Sequence, residues 1–299
     1  MIVVRLKGGL GNQLFQYAAG FALARKNGDQ FKLDLSGFQN QDRSRPYVRD
    51  ADILQFSISS PIASEEEVQR FRNPFGQVSR VLRVIMQKVF KKYYTDWHPE
   101  VMNRKGDIYL EGFFQCDKYF AECFDELSQE FLLQPNVNAD IESIAHLIKS
   151  MPCPVSLHVR RGDYVSDPKI SALHNICGID YYETALTRLK DQIGPYDLVV
   201  FSDDIEWVRH NLNLSQDTCY ISGQKGVGGS TINTAQELIL MSMCKHHIIA
   251  NSTFSWWGAY LNRTPGKIVI APGLWNRSKD YSHENIIPSG WQQIPILSN

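Results

Sequence analysis

The sequence predicts an α/β chain of two Rossmann-like domains facing each other across a cleft, the first over residues 1–150 and the second over 151–299. Three observations predict it. The chain opens with an apolar run, Ile2–Leu6, a glycine turn, Gly8–Gly11, a helical stretch, Gln13–Lys26, and a second apolar run, Phe31–Asp34. Strand, glycine loop, helix, strand is how a doubly wound domain begins. After the Pro-rich tetrapeptide Met151-Pro152-Cys153-Pro154, strand and helix patterns alternate a second time. Finally, 299 residues with 43% apolar and 21% charged side chains suffice for two cores of ordinary size.

In the first half, residues 36–60 are polar and rich in loop formers, and read as a variable rim. Val78, Val81, Leu82, Ile85, Met86, Val89 and Phe90 recur at helical spacing among arginines and lysines. Such a basic amphipathic helix faces a core or, alternatively, rests on an anionic membrane. Ile108–Leu110 reads as a strand leading into Glu111-Gly112-Phe113-Phe114-Gln115, followed by a helix over 121–131 and one short helix within 135–151. In the second half, Val155–Val159, Asp197–Ser202, Thr218–Ile221, His247–Ala250 and Lys267–Ala271 read as strands. The helices between them are Asp180–Gln192, Ile205–Leu212, Thr234–Cys244 and Ser255–Leu261.

Composition excludes several classes. A net charge of −1 gives no general field for nucleic acid, so any anion site is local. The first apolar run is too short for a signal peptide or a membrane span. Six cysteines without CxxC spacing read as reduced thiols of a cytoplasmic protein. Repeats and low-complexity tracts are absent.

Ligands of open α/β sheets bind at the carboxyl ends of strands, and four unusual segments fall there. In Gly8-Gly9-Leu10-Gly11-Asn12-Gln13 the glycines admit a ligand to the backbone, and a helix starting near Asn12 aims free amides at an anion. The segment has neither the dinucleotide fingerprint nor the P-loop lysine. In His158-Val159-Arg160-Arg161-Gly162-Asp163-Tyr164 two guanidiniums share a short turn, which suits a phosphate. An ion-pair cluster built on Asp163 is the alternative. If the strand continues, its side chains alternate, so one arginine faces the ligand and the other pairs with Asp163. Phe201-Ser202-Asp203-Asp204 fits a divalent metal or, with no further acid or histidine cluster at hand, better fits a nucleoside base or ribose. Asn251-Ser252-Thr253-Phe254-Ser255-Trp256-Trp257-Gly258 offers hydroxyls and amides for a phosphate nest. Its tryptophans are either core or an aromatic wall for a sugar.

Taken in order, residues 8–18, 158–164 and 251–259 resemble the motifs of the α-1,2-fucosyltransferases of glycosyltransferase family 11, and 109–115 and 201–207 are similar too. The likeness spans roughly the whole chain, and its length resembles the bacterial members. The resemblance implies a GT-B fold, GDP-β-L-fucose as donor and inverting transfer to the 2-hydroxyl of a terminal β-galactoside, with no metal and no cofactor beyond the donor. It implies that Arg160 meets the β-phosphate, that His158 holds the same region, and that Gly11 and Asn12 abut the diphosphate or fucose. Asp203 would contact guanine, and Ser252, Thr253 and Phe254 phosphate and fucose. Glu237 stands where many relatives carry aspartate, which implies a ligand role. Asp34, Glu111 and Asp163 are candidate proton acceptors among which the residues do not choose. The implied acceptor is a galactose-terminated oligosaccharide or a lipid-linked glycan of O-antigen synthesis. Its specificity would lie in 34–60 and 93–118, on a cytoplasmic enzyme in peripheral contact with the inner face of the plasma membrane.

Overall fold

The computed structural model describes residues 1–296 apart from 40, 42–47, 74, 75, 77, 79, 80, 82–93, 139, 140, 222–231 and 279–282. It divides into two compact units, Met1–Leu132 with Lys279–Pro288, and Leu133–Ser278 with Ser289–Asn299. The division thus falls ahead of the tetrapeptide at 151–154. The reason is the amphipathic helix Glu142–Ser150, which buries Ile144, Ala145 and Ile148 with Val199, Phe201, Ile221 and Met241 of the second unit.

The first unit is built on three parallel strands, β1 (Ile2–Arg5), β2 (Phe31–Asp34) and β3 (Ile108–Leu110), in the order β2-β1-β3. Ile2 of β1 lies opposite Phe31 on one side and Ile108 on the other. The connecting helix, Leu10–Asn27, buries Leu14, Phe15, Ala18, Ala19, Ala22 and Leu23, and it ends on the left-handed Gly28. It begins at Leu10 rather than Gln13, so Gly11 and Asn12 lie in its first turn and only Gly8-Gly9 form the turn proper. The helix comes down closely on β1, because a Cβ on Gly20 would stand 2.4 Å from Val4.

The second unit carries six parallel strands: β4 (Pro154–Val159), β5 (Asp197–Ser202), β6 (Cys219–Ile221), β7 (His246–Ile248), β8 (Val269–Pro272) and β9 (Gln292–Ile294). Their order is β6-β5-β4-β7-β8-β9. Every residue of β4 is buried, as expected where helices cover both faces of a parallel sheet. Successive residues of β5 go to opposite faces. Leu198 and Val200 join the cluster formed with Tyr182 and Leu189, whereas Val199 and Phe201 join that of Ile144 and Met241. Strand order reverses at β4, so the loops after β4, β5 and β7 meet at a topological switch point, where doubly wound sheets bind ligands.

Two short helices, Gly162–Ser166 and Pro168–His174, follow the arginine loop. Of the helix expected over 78–92, all but Val78 and Val81 lie outside the described residues, and those two are exposed. Among the described residues no helix is long and apolar enough to cross a membrane. All six cysteines are free thiols.

Candidate functional site

In the second unit β4 stops at Val159, and both arginines stand on the loop beyond it. They reach different carboxylates. Arg160 donates to Asp163 Oδ1 at 2.5 Å and pairs with Asp203 Oδ2 at 2.8 Å, with its guanidinium 5.6 Å from the Tyr164 ring. Arg161 donates its backbone N–H to Asp203 Oδ1 at 2.8 Å and its Nε–H to Asp204 Oδ2 at 3.0 Å. It also stacks 4.0 Å above Trp207. Burial works against the Arg160 charge, but Asp203 and Asp163 more than offset it and hold the guanidinium pKa above its ordinary value. Asp204 additionally caps the helix Ile205–Asn211 by accepting from the Trp207 N–H.

His158 is the penultimate residue of β4, 4% exposed, with its ring 5.6 Å from that of Phe254 and its Nδ1 without a hydrogen-bond partner among the described residues. Burial, with the Arg160 charge adding to it, lowers its pKa to about 3. The imidazole is therefore neutral across the physiological range. Phe254 lies in the first turn of the helix Thr253–Leu261, which begins after Ser252 without a side-chain cap. Its first amides are those that helix geometry leaves without an intrahelical acceptor. Asn251 braces this corner. Its Nδ2 donates to the carbonyls of His174 and Trp275, and its own carbonyl accepts from the Tyr164 hydroxyl at 3.2 Å.

In the first unit the glycine turn is held by carboxamides. Gly8 has φ +80°, open to glycine at little cost. Gln13 is fully buried; its Nε2 donates to Gly8 O and Asp50 O, and its Oε1 accepts from Ile53 N–H. Gln16, also fully buried, accepts from Lys7 N–H and donates to Gly112 O. Asn12 accepts from Gln115 at 2.8 Å. Arg49 lies near the turn, 3.9 Å from where a Cβ on Gly9 would be. Asp34 accepts from the Tyr109 hydroxyl and from Ser36 N–H, and Glu111 pairs with Arg5. With Asp163 on Arg160, all three carboxylates considered as proton acceptors hold structural partners.

The profile of Glycosyl transferase family 11 matches residues 1–295. The chain belongs to glycosyltransferase family 11. An α-1,2-colitosyltransferase of Escherichia coli is 33% identical over 306 residues, covering 98% of this chain and 99% of that relative. The O-antigen biosynthesis glycosyltransferase WbnK of Escherichia coli is also 33% identical, over 92% of this chain and 96% of its own. The mouse galactoside 2-α-L-fucosyltransferase Sec1 is 28% identical over 87% of this chain and 64% of its own length. Among solved structures, fucosyltransferase NodZ from Bradyrhizobium superposes with a TM-score of 0.56 at 15% identity, covering 90% of this chain and 94% of that one. NodZ α-1,6-fucosyltransferase soaked with GDP-fucose gives 0.54 at 16% identity over the same shares. The fold is that of the GT-B fucosyltransferases, two α/β units each on a parallel sheet.

In this family 11 glycosyltransferase, His158, Arg160, Asp203 and Phe254 come together with the helix start at Ser252 and Thr253. Gly11 and Asn12 lie in the first helical turn that follows the Gly8-Gly9 turn of the first unit. Glu237 sits half-buried in the first turn of the helix Thr234–Ser242. One expectation changes and one open alternative is decided. Asp163 is the partner of Arg160, and Arg161 is held by Asp204, because the strand ends before either arginine and alternation no longer orders them. Trp256 and Trp257 are fully buried with Tyr260 and Trp291 about them, so they are core and no sugar-facing wall. Sequence reasoning quoted Gln13, Gln16 and Gln115 within the motifs but gave them no role. The signal was there for two of them: glutamines three apart on the buried face of an otherwise apolar helix.

Proposed function

We propose that this glycosyltransferase moves L-fucose from GDP-β-L-fucose, with inversion and without a metal ion, to the 2-hydroxyl of a terminal β-galactoside. The observation that carries the reading is Arg160, a guanidinium fixed at the end of the central strand between two carboxylates. As fucose departs it becomes oxocarbenium-like, and negative charge gathers on the β-phosphate of GDP. A cation already in place stabilises that charge without reorganising. Its two terminal nitrogens meet Asp163 and Asp203, and of the five N–H donors of a guanidinium this reading gives the remainder to phosphate. The amides opening the helix Thr253–Leu261, with the Ser252 and Thr253 hydroxyls, add neutral donors of the same sense. His158, being neutral, contributes hydrogen bonding and packing rather than a proton. Gly11 and Asn12 are assigned to the diphosphate or fucose on the strength of the family motif.

Metal independence is supported by the state of the paired acids, since the oxygens of Asp203 and Asp204 already face Arg160, Arg161 and the Trp207 amide. A second reading, transfer of colitose, is favoured by the identity to the Escherichia coli colitosyltransferase. Colitose is L-fucose without its 3-hydroxyl, so the two donors differ by one hydrogen-bonding group. The acceptor proposed is a galactose-terminated oligosaccharide or lipid-linked glycan of the O-antigen type.

The test is turnover of GDP-fucose and GDP-colitose with a panel of β-galactosides, with and without EDTA, and NMR assignment of the product linkage. The proposal expects fucose on O2 of galactose at a rate EDTA does not change. A linkage to another position, a preference for colitose, or loss of activity in EDTA would each refute the corresponding part.

A further inference from the structure

The carboxamide of Asn12 has two chemically opposite ends: Oδ1 only accepts, and Nδ2 only donates. Which end meets an anionic ligand decides between attraction and repulsion. Oδ1 accepts from Gln115 Nε2 at 2.8 Å. Nδ2 is turned to the glycine turn, where a Cβ on Gly8 would lie 2.9 Å from it. The turn that lets a ligand reach the backbone is therefore also where the donating end of Asn12 points.

Gln115 is itself held firmly. It is 8% exposed, and its N–H donates to Thr95 O at 2.7 Å. The residue before it, Phe114, has φ 53° and is the sole side-chain-bearing residue with positive φ among the described residues. Its N–H donates to Tyr94 O at 2.7 Å, and Cys116 N–H folds back onto its carbonyl at 2.8 Å. A buried phenylalanine in the left-handed region persists only where its surroundings over-determine it, and such residues concentrate where a side chain must be aimed. Here the side chain aimed is Gln115, and its target is Oδ1 of Asn12.

We infer that Gln115 is a positioning residue: by occupying Oδ1 it fixes the Asn12 carboxamide with its N–H donors toward the anionic oxygens of a sugar nucleotide. The inference rests on the reading of Asn12 as a donor-facing group. It separates Gln115 from a merely structural glutamine, because the polarity of the bond, and not its existence alone, sets the function.

Two substitutions of nearly equal volume separate these roles. Gln115→Met removes the donor and leaves Asn12 free to choose its orientation. Gln115→Glu replaces the donor by an acceptor, so the carboxamide turns over and presents Oδ1 to the anion. Steady-state kinetics with GDP-fucose and a β-galactoside should show kcat falling on the order of a hundredfold in Gln115→Glu, the scale of one lost oxyanion donor. In Gln115→Met the fall should be several times smaller. Acceptor KM should hold in both, and the melting temperatures of the two variants should agree with each other. Activity of Gln115→Glu relative to the native chain should recover toward acid pH, where the introduced carboxyl is protonated and can donate again. Equal kcat in the two variants, or a flat relative pH profile for Gln115→Glu, would overturn the inference even if Asn12→Ala is inactive. A fully active Asn12→Ala would remove the reading of Asn12, and the inference with it.

Discussion

At the carboxyl end of β1 the first unit fixes its glycine turn with neutral carboxamides, whereas beyond β4 and β5 the second unit fixes its arginine turn with ions. Gln13 and Gln16 together satisfy five backbone groups around residues 7–53 and 112, and bring no charge to the turn. Arg160 and Arg161 are held by Asp163, Asp203 and Asp204, which give a cation a fixed place but offset part of its field. The difference follows from what each half must present. A backbone turn needs donors and acceptors in equal measure, which an amide side chain supplies; a guanidinium needs acceptors only, and carboxylates are the strongest. The two halves should therefore fail in different ways when perturbed.

The largest effect should come from Arg160→Ala, which removes about 3 kcal/mol or more of transition-state stabilisation and so lowers kcat by at least about a hundredfold. Arg160→Lys should recover little of it, because one ammonium cannot span Asp163, Asp203 and a phosphate as a planar fork does. Arg160→Ala also leaves Asp163 and Asp203 without their cation and should melt below the native chain, so kcat is compared at a temperature where both are folded. An active Arg160→Ala would show that the ionic half is scaffold and the comparison false.

Gln13→Leu should act mainly on stability. It leaves the half-buried Gly8 O and the buried Ile53 N–H without their partner, and frees the carbonyl of the exposed Asp50, at about 2 kcal/mol in total. Urea unfolding monitored by hydrogen exchange should place that loss in the first unit, and an unchanged midpoint would contradict the role given to the carboxamide.

How far these roles were legible in the sequence depended on the range of the interaction. Strands β2, β3 and β5 could be read from local runs ended by Asp, Gly or Ser, and the arginine loop from the density of charge in one turn. The partner of Asp163 could not, because it depended on where β4 stopped, which sheet pairing decides. Nor could the edge of the second unit. Ile144 and Ile148 look like any amphipathic stripe until Val199 and Phe201 are placed opposite them. Gln115 and Asn12 meet across 103 positions of chain, and no local pattern announces such a bond.

Acid should act on the two halves with opposite sign. His158 titrates near 6.5 when unfolded and at about 3 in place. Its contribution is thus complete above pH 6.5 and is lost as pH falls toward 3, because the unfolded chain takes up a proton the folded one refuses. Beside the glycine turn, burial and then the charge of Asp50 push Asp52 from 3.8 to about 6. That contribution is complete below pH 3.8 and is lost as pH rises through 6. Between pH 4 and 6, exchange protection corrected for intrinsic rate should rise with pH in β4 and β5 and fall with pH in residues 50–53. Slopes of one sign in both places would refute the assignment.

The smallest effect separates strain from position within the first unit alone. Gly8 and Gly28 both have left-handed backbones, at φ +80° and +65°. Alanine at either costs about 1–2 kcal/mol from the backbone, so stability should not tell them apart by much. Their surroundings differ. A Cβ at Gly28 meets none of the described residues within 4 Å, whereas at Gly8 it lies 2.9 Å from Asn12 Nδ2 and 3.4 Å from its Cβ. Gly28→Ala should therefore lose stability and keep its kcat, while Gly8→Ala loses a similar stability and several-fold of kcat as well, because Asn12 must give way. Equal kcat in the two would mean that the glycine turn tolerates a displaced Asn12. The neutral half would then be a hinge for the chain rather than a holder of ligand-facing groups.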